Sequence, residues 1–203
     1  MVQNKEKNRT EQLKAIRAEL LAAKDSPLYH YRQTNHYYPV IGEGDHEATI
    51  MFVGEAPGKN EALTAKPFCG SAGRILDELL ASINIDRRTV YVTNIVKDRP
   101  PDNRDPAPEE IAYYAPYLDR QIAIIQPKVI ATLGRFAARY LLEHFNSPAW
   151  SETIGQLHGR PIAITADFGP LTILPLFHPA AAIYNQKLKA TLLADFYQLA
   201  EYK

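Results

Sequence analysis

Cysteine is nearly absent from this sequence, because Cys69 is the one thiol in 203 residues. A single cysteine excludes an internal disulfide framework and a metal cage made of several thiolates from one chain. This composition suits a reducing compartment. Long apolar runs are also missing, since none approaches the ~20 residues that cross a bilayer. The polar segment 1–10 has no apolar core of signal-peptide length. We therefore expect a soluble cytoplasmic protein that does not associate with membranes.

The sequence also lacks an excess of charge of either sign, since 23 Lys and Arg balance 23 Asp and Glu. No global field marks a nucleic-acid binder, but a compact protein can place only a few basic side chains beside phosphates, so DNA is not excluded. Internal repeats are absent as well. With 46% hydrophobic residues, the chain is expected to form one domain over 1–203. An N-terminal helix lies within 1–25 and a core extends from about 45 to 203.

Four short apolar runs, rich in β-branched residues, predict the strands of the fold. None alternates cleanly between apolar and polar positions, which is typical of parallel strands buried on both faces. The runs are Thr49–Val53, Val90–Ile95, Val129–Leu133 and Thr172–Phe177. Helical patterns flank or separate them at Glu11–Lys24, Ala72–Ile83, Pro108–Ile125, Arg135–Phe145 and Asn185–Tyr202. This alternation predicts a three-layer α/β/α sandwich around a mostly parallel four-stranded sheet, with 159–165 as a candidate edge strand.

Polar residues follow each predicted strand. The first strand runs into the turn Gly54–Gly58, the second into Asn94, the third into Gly134, and the fourth into His178. Because open parallel sheets bind ligands at the carboxyl ends of their strands, these residues are expected to converge on one rim. The pattern alone therefore predicts a site there.

Three separated motifs at this rim resemble those of the family 4 uracil-DNA glycosylases. The first is Gly54-Glu55-Ala56-Pro57-Gly58 with Glu61 and 66–73, the second is Asn94 with 99–104 and 108–110, and the third is Phe177-His178-Pro179. Their order and spacing agree from about residue 20 to the C-terminus. The resemblance implies a monomeric repair enzyme, associated with a prokaryotic nucleoid, that acts on uracil-containing DNA. It would flip out uracil and hydrolyse the N-glycosidic bond, leaving an abasic site.

The resemblance also implies roles for individual residues. Phe68 would stack on the flipped base, while the amide of Asn94 would read the uracil edge. His178 would stabilise the negative charge that grows on the departing pyrimidine. The implied base-binding residues are Gly54, Ala56, Phe68 and Asn94.

A carboxylate is expected to position the attacking water or to stabilise the sugar cation. Glu55 and Glu61 are both candidates, and the sequence does not choose between them. Basic residues near the rim are candidates for phosphate contacts. They are Lys66, Lys97, Arg99, Arg104 and Arg160.

The chain departs from the family at the four cysteines that hold a [4Fe–4S] cluster in family 4 enzymes. The corresponding residues are Ala23, Ser26, Asp98 and Tyr114. None is a thiolate, so we expect no cluster and no other metal or cofactor. One interpretation is that packing replaces the cluster, with Tyr114 filling its volume and Asp98 pairing with a nearby basic residue. The other is that the loop after the second strand has changed its DNA contacts.

Two further departures remove polar groups near the site. Ala62 stands where relatives usually carry aspartate, and Ala180 stands where a serine is common. Two alternatives to uracil excision therefore stay open. One is a catalytically weak or inactive module that binds lesions or DNA. The other is a glycosylase for other deaminated bases, namely hypoxanthine or xanthine.

Overall fold

The computed structural model describes residues 2–183 and 185–202, so Met1, Tyr184 and Lys203 lie outside the described residues. Its sheet has six strands in the order β1-β3-β2-β4-β6-β5. The strands are β1 (Glu43–Gly44), β2 (Ile50–Gly54), β3 (Tyr91–Asn94), β4 (Val129–Leu133), β5 (Ile162–Ala166) and β6 (Gly169–Leu176). The four central strands are parallel, as the apolar runs predicted.

The predicted number of four strands is wrong, because an antiparallel strand is added at each edge of the sheet. β1 pairs with β3 and β5 pairs with β6. β5 is the candidate edge strand of the sequence, and its residues alternate between half-buried and exposed as an edge position allows. β1 has only two residues. A strand that short has no period for a sequence pattern to reveal.

The described residues also form eight α-helices. They are α1 (Val2–Ala22), α2 (Tyr29–Thr34), α3 (Lys59–Thr64), α4 (Ser71–Ser82), α5 (Pro108–Ile125), α6 (Arg135–His144), α7 (Ile154–Leu157) and α8 (Gln186–Phe196), followed by a 3-10 turn (Tyr197–Tyr202). The five long helices were predicted, with α1 starting earlier than its pattern. The three missed helices, α2, α3 and α7, have four to six residues, too few for an apolar stripe.

Two hydrophobic clusters cover the two faces of the sheet. Met51 and Val53 of β2 pack in one cluster with residues of α1, α5 and α6. Ile50 and Phe52, which point to the opposite face, pack in the other with residues of α4 and α8. Phe52 stacks on Phe196 with ring centroids 5.7 Å apart. The predicted three-layer α/β/α sandwich is therefore confirmed.

The N-terminal helix α1 belongs to the first of these clusters. Its buried residues Leu13, Ile16 and Leu20 recur at helical spacing, and its Glu19 accepts two hydrogen bonds from Arg120 of α5. Among the described residues, no helix has the length and apolar character needed to span a membrane.

Candidate active site

A cavity of about 510 Å³ opens at the carboxyl ends of β2, β3 and β6. Its volume lies within the range of small-ligand pockets. The residues that line it are Glu55–Glu61, Phe68, Gly70, Ser71, Ala72, Asn94, Pro100, Asn103, Arg104, His178 and Ala180. The structure thus brings together the residues that follow three of the predicted strands. The residue after β4, Gly134, lies behind His178, because an added Cβ there would be 3.3 Å from His178 Cβ.

Asn94 ends β3 with a buried and unsatisfied acceptor. The residue is 1% exposed, and Asn94 Oδ1 has no hydrogen-bond partner in the described part of the chain. A buried polar atom left unpaired costs about 1–3 kcal/mol. A ligand that presents an N–H group at this point would remove the cost.

Gly54 makes room for two of the pocket's side chains. It lies opposite Asn94 in the parallel register of β2 and β3. A Cβ on Gly54 would lie 2.3 Å from Asn94 Oδ1 and 2.7 Å from the Phe68 ring. Both distances are shorter than non-bonded contacts allow, so only glycine fits here without displacing one of the two side chains.

Phe68 is held on a constrained loop. Its φ of 47° is left-handed, and the first turn of α4 approaches so closely that a Cβ on Gly73 would lie 1.8 Å from the Phe68 carbonyl oxygen. Glu61 fixes the same loop, since its Oε1 accepts hydrogen bonds from the backbone N–H groups of Cys69 at 3.0 Å and Gly70 at 2.9 Å. The aromatic face is therefore in place before any ligand enters.

His178 lies beside this face, with its ring centroid 5.8 Å from that of Phe68. Its Nδ1 accepts a hydrogen bond from the Ala180 N–H at 3.1 Å. The neutral ring must then carry its proton on Nε2. Burial lowers the pKa of His178 to about 4, although the nearby Glu61 carboxylate opposes this shift. At neutral pH, His178 is therefore an uncharged N–H donor.

The two candidate carboxylates have different surroundings. Glu61 is engaged with the Phe68 loop, whereas the Glu55 carboxylate makes no side-chain hydrogen bond to any described residue. Burial raises the pKa of Glu55 to about 7, and the negative charge of Asp105 adds to the shift while Arg135 opposes it. A carboxylate that titrates near neutrality and faces a pocket is a candidate general base.

The structure corrects one predicted phosphate contact. Lys97 has no exposed surface, and its Nζ is hydrogen-bonded inside the core. A side chain without exposed surface cannot contact a phosphate, so the prediction that Lys97 binds DNA is wrong.

The other four basic candidates differ in their relation to the pocket. Arg104 lines it and forms two hydrogen bonds to Glu110. Arg99 lies against Tyr31 and Tyr37, whose hydroxyls accept from its guanidinium at 3.2 and 2.9 Å. Lys66 is exposed and Arg160 pairs with Glu152 at 2.7 Å, both outside the pocket lining.

Two polar residues of the pocket were missed by the sequence interpretation. Lys59 and Asn60 line it from the first turn of α3. They directly follow Gly58, the last residue of the predicted turn, and that position was the available indication. A helix of six residues gave no pattern that would have oriented them.

The four positions that would hold an iron–sulfur cluster meet in one buried network. The Tyr114 hydroxyl donates to Asp98 Oδ2 at 2.7 Å and lies 3.0 Å from Ser26 Oγ. Arg32 donates to Asp98 Oδ2 at 3.0 Å and to the Ala23 carbonyl oxygen at 2.9 Å. The prediction that Asp98 pairs with a basic residue is confirmed.

These side chains do not fit a cluster. Fe–S clusters are held by thiolates, and here none of the four residues has one; the Arg32 guanidinium instead bridges Asp98 and the Ala23 carbonyl, and the Tyr114 hydroxyl bonds to Asp98. Burial raises the pKa of Asp98, while the hydrogen bond from Tyr114 and the Arg32 charge act in the opposite direction. Across residues 2–183 and 185–202, no group of three or more His, Cys, Asp or Glu side chains is arranged to hold a metal ion.

Comparison with known proteins gives a consistent result. Residues 41–200 match the model of a family described as the uracil DNA glycosylase superfamily. The chain is 42% identical over 194 residues to a type-4 uracil-DNA glycosylase of Sulfurisphaera tokodaii, covering 93% of this chain and 84% of the relative. It is 40% identical over 191 residues to the type-4 enzyme of Archaeoglobus fulgidus, covering 94% and 93%. It is 39% identical over 168 residues to that of Thermotoga maritima, covering 82% of each chain.

Proposed function

The chain belongs to the uracil-DNA glycosylase superfamily, and we propose that it is a uracil-DNA glycosylase of base-excision repair. It would take uracil from DNA into the pocket, hydrolyse the N-glycosidic bond and leave an abasic site. The target base must leave the stack, because its glycosidic bond is not accessible inside a duplex. The leucines of α1 share a core cluster with the sheet, so we also propose that the chain works as one domain.

The observation that carries this proposal is the unpaired Asn94 Oδ1. Uracil presents an N3–H donor between two carbonyl acceptors, and that donor would satisfy the buried oxygen. Cytosine has an acceptor at N3, which would leave two acceptors facing each other. A site built around a hydrogen bond rejects an analogue that cannot make it much more strongly than an apolar pocket does. Phe68 supplies the stacking face.

Bond cleavage uses the remaining residues of the pocket. The C1′–N1 bond breaks with its electron pair moving to uracil, whose negative charge is stabilised by the Nε2–H of neutral His178. The sugar becomes cationic and a water oxygen bonds to C1′. We propose that the Glu55 carboxylate accepts the proton of that water, because it lines the pocket and makes no hydrogen bond to the backbone. Glu61 is then a positioning residue for the Phe68 loop.

We further propose that this enzyme works without an iron–sulfur cluster. The Arg32–Asp98 ion pair and Tyr114 join the segment after α1, the segment after β3 and α5, which are the elements that carry the four cluster positions. Metal analysis of the purified protein tests this directly. We expect active protein with iron far below one atom per chain, whereas stoichiometric iron that disappears together with activity would contradict the proposal.

The function is tested with a labelled oligonucleotide that carries one deoxyuridine, followed by alkali cleavage at abasic sites. Parallel substrates carry hypoxanthine, xanthine or cytosine, in single and double strands. We expect cleavage at uracil that Asn94→Ala abolishes, with Arg17→Ala, an exposed residue of α1 outside the pocket lining, as a control. Cleavage of hypoxanthine or xanthine in preference to uracil would reassign the substrate. DNA binding without cleavage of any base would leave a lesion-binding module.

A further inference from the structure

We infer that Lys97 positions Asn94 for base recognition by holding the main-chain carbonyl of Asn94 from inside the core. This inference rests on the proposed function, because it assigns a role in uracil recognition to a residue outside the pocket lining. Lys97 follows β3 and its side chain folds back beneath the end of that strand. Its Nζ lies 2.6 Å from the Asn94 carbonyl oxygen.

Three hydrogen bonds hold the Lys97 ammonium. Besides the Asn94 carbonyl, it donates to Gln121 Oε1 at 2.6 Å and to Thr93 Oγ1 at 2.8 Å. The three acceptors come from two adjacent residues of β3 and from α5. Lys97 therefore joins the end of the strand that carries Asn94 to the helix packed against it.

The three partners of Lys97 match the protonated form of its side chain. The Thr93 hydroxyl donates to the Ile41 carbonyl at 2.7 Å, and in this arrangement its oxygen accepts from Lys97. The Gln121 oxygen and the Asn94 carbonyl have no proton to give. Three acceptors thus match the three N–H groups of an ammonium, whereas a neutral amine has only two N–H groups to donate.

Burying an ammonium without a directly bonded carboxylate costs free energy. Burial lowers the pKa of Lys97 to about 7, and Asp119 is the charged group that opposes the shift. No carboxylate among the described residues bonds directly to Lys97. Well-packed apolar side chains often replace buried charges without loss of stability. Lys97 therefore supplies hydrogen bonds at the end of β3 that an apolar side chain would not provide.

Asn94 is the residue for which that placement matters. Its side-chain oxygen lies 2.3 Å from the position of a Cβ on Gly54, and the Phe68 ring also borders that space. A small rotation of the Asn94 peptide would move the carboxamide against one of these groups or away from the base. Lys97 fixes that peptide by its carbonyl, while Ile95 and Val96 pair their N–H groups with the Gly54 and Glu55 carbonyls.

The test compares Lys97→Met with Tyr114→Phe. Lys97→Met keeps the length of the side chain and removes all three donors, whereas Tyr114→Phe perturbs a different buried network of the same protein. Four quantities are measured for each: the melting temperature, the single-turnover rate on a deoxyuridine oligonucleotide, the affinity for undamaged DNA, and inhibition by free uracil. Free uracil reports on the base pocket without DNA.

We expect Lys97→Met to slow uracil excision about tenfold to a hundredfold, the range for losing a charge-assisted hydrogen bond. Inhibition by free uracil weakens by a similar factor, while the affinity for undamaged DNA is unchanged. Tyr114→Phe lowers the melting temperature and leaves the rate and uracil inhibition within about threefold of wild type. Should Lys97→Met not fold, Lys97→Gln keeps a shorter neutral donor and is expected to show an intermediate loss.

Wild-type uracil inhibition in a folded Lys97 variant, or equal losses in Tyr114→Phe, would overturn the inference. A wild-type protein that does not excise uracil contradicts the proposed function instead, before any variant is compared.

Discussion

The hydroxyl of Tyr114 donates a hydrogen bond of 2.7 Å to the carboxylate of Asp98, and both side chains are buried. Arg32 completes the charge pair with Asp98 at 3.0 Å and also holds two carbonyl groups at the end of α1. The N-terminal helix, α2, α5 and the segment after β3 therefore meet at one polar network.

Breaking this network is expected to cost stability more than activity. Asp98→Ala leaves the buried Arg32 charge without a partner and should lower the free energy of unfolding by about 3–5 kcal/mol. Tyr114→Phe removes one hydrogen bond and should lower it by about 1–3 kcal/mol. Urea denaturation measures both. Replacing the pair together, as Arg32→Met with Asp98→Leu, should recover part of the loss. A double variant that is less stable than Asp98→Ala would contradict the ion-pair account.

The convergence of the site could be predicted from the sequence because parallel strands share one carboxyl edge. Asn94 and His178 each follow an apolar run, so their meeting in one pocket follows from the predicted sheet. The resemblance added Glu55, Glu61 and Phe68, and the structure brings all five residues to the same cavity.

Burial could not be predicted in the same way. Lys97 precedes an arginine- and proline-rich loop, a context in which a lysine is usually exposed, and its acceptor on Gln121 is distant in sequence. The sequence predicted that Asp98 pairs with a basic residue but did not identify it as Arg32, which is 66 residues away. Such contacts depend on how helices pack on the sheet, and periodicity carries no information about them.

Gly54→Ala should inactivate the pocket without unfolding the protein. The added methyl would overlap Asn94 Oδ1 and the Phe68 ring, so at least one of them must leave its place. We expect a fall in kcat/KM for uracil of at least about 100-fold, because misplacement by about 1 Å has this effect. Gly155→Ala is the matched control, since the nearest atom to its Cβ is 3.9 Å away. Near-normal uracil excision by Gly54→Ala would contradict the packing described for this site.

His178→Ala should lower kcat for uracil excision by about 10²–10³-fold, the usual effect of losing one donor to a developing negative charge. Because its pKa is lowered to about 4, the ring is neutral at any pH well above that value. If the pH profile of the wild-type rate has an inflection near pH 6.5, we therefore expect the His178→Ala profile to keep it. His144→Ala, which changes a histidine outside this pocket, serves as the control. An inflection near 6.5 that disappears only in His178→Ala would show that the charged ring takes part.

The raised pKa of Glu55 predicts opposite effects of pH on activity and on stability. Its pKa is raised to about 7 in the folded protein from an ordinary value of 4.5, so the folded state binds this proton more tightly than the unfolded state. The resulting contribution to stability is present below pH 4.5 and is lost as the pH rises through 7. Glu55→Gln, which carries no charge, should therefore be more stable than wild type at pH 8. The gain is roughly 1–2 kcal/mol after allowance for the partial exposure of the group.

Activity should follow the ionised form of the same carboxylate. If Glu55 accepts a proton from water, the single-turnover rate rises with pH up to about 7 and is then constant, and Glu55→Gln loses both the rate and this dependence. Asp105→Asn tests the assignment independently, because Asp105 raises the pKa of Glu55 and Arg135 lowers it. Removing the Asp105 charge should shift the midpoint of the rate profile to lower pH. A Glu55→Gln protein that keeps the wild-type profile would exclude Glu55 as the base and direct attention to Glu61, whose carboxylate holds the Phe68 loop.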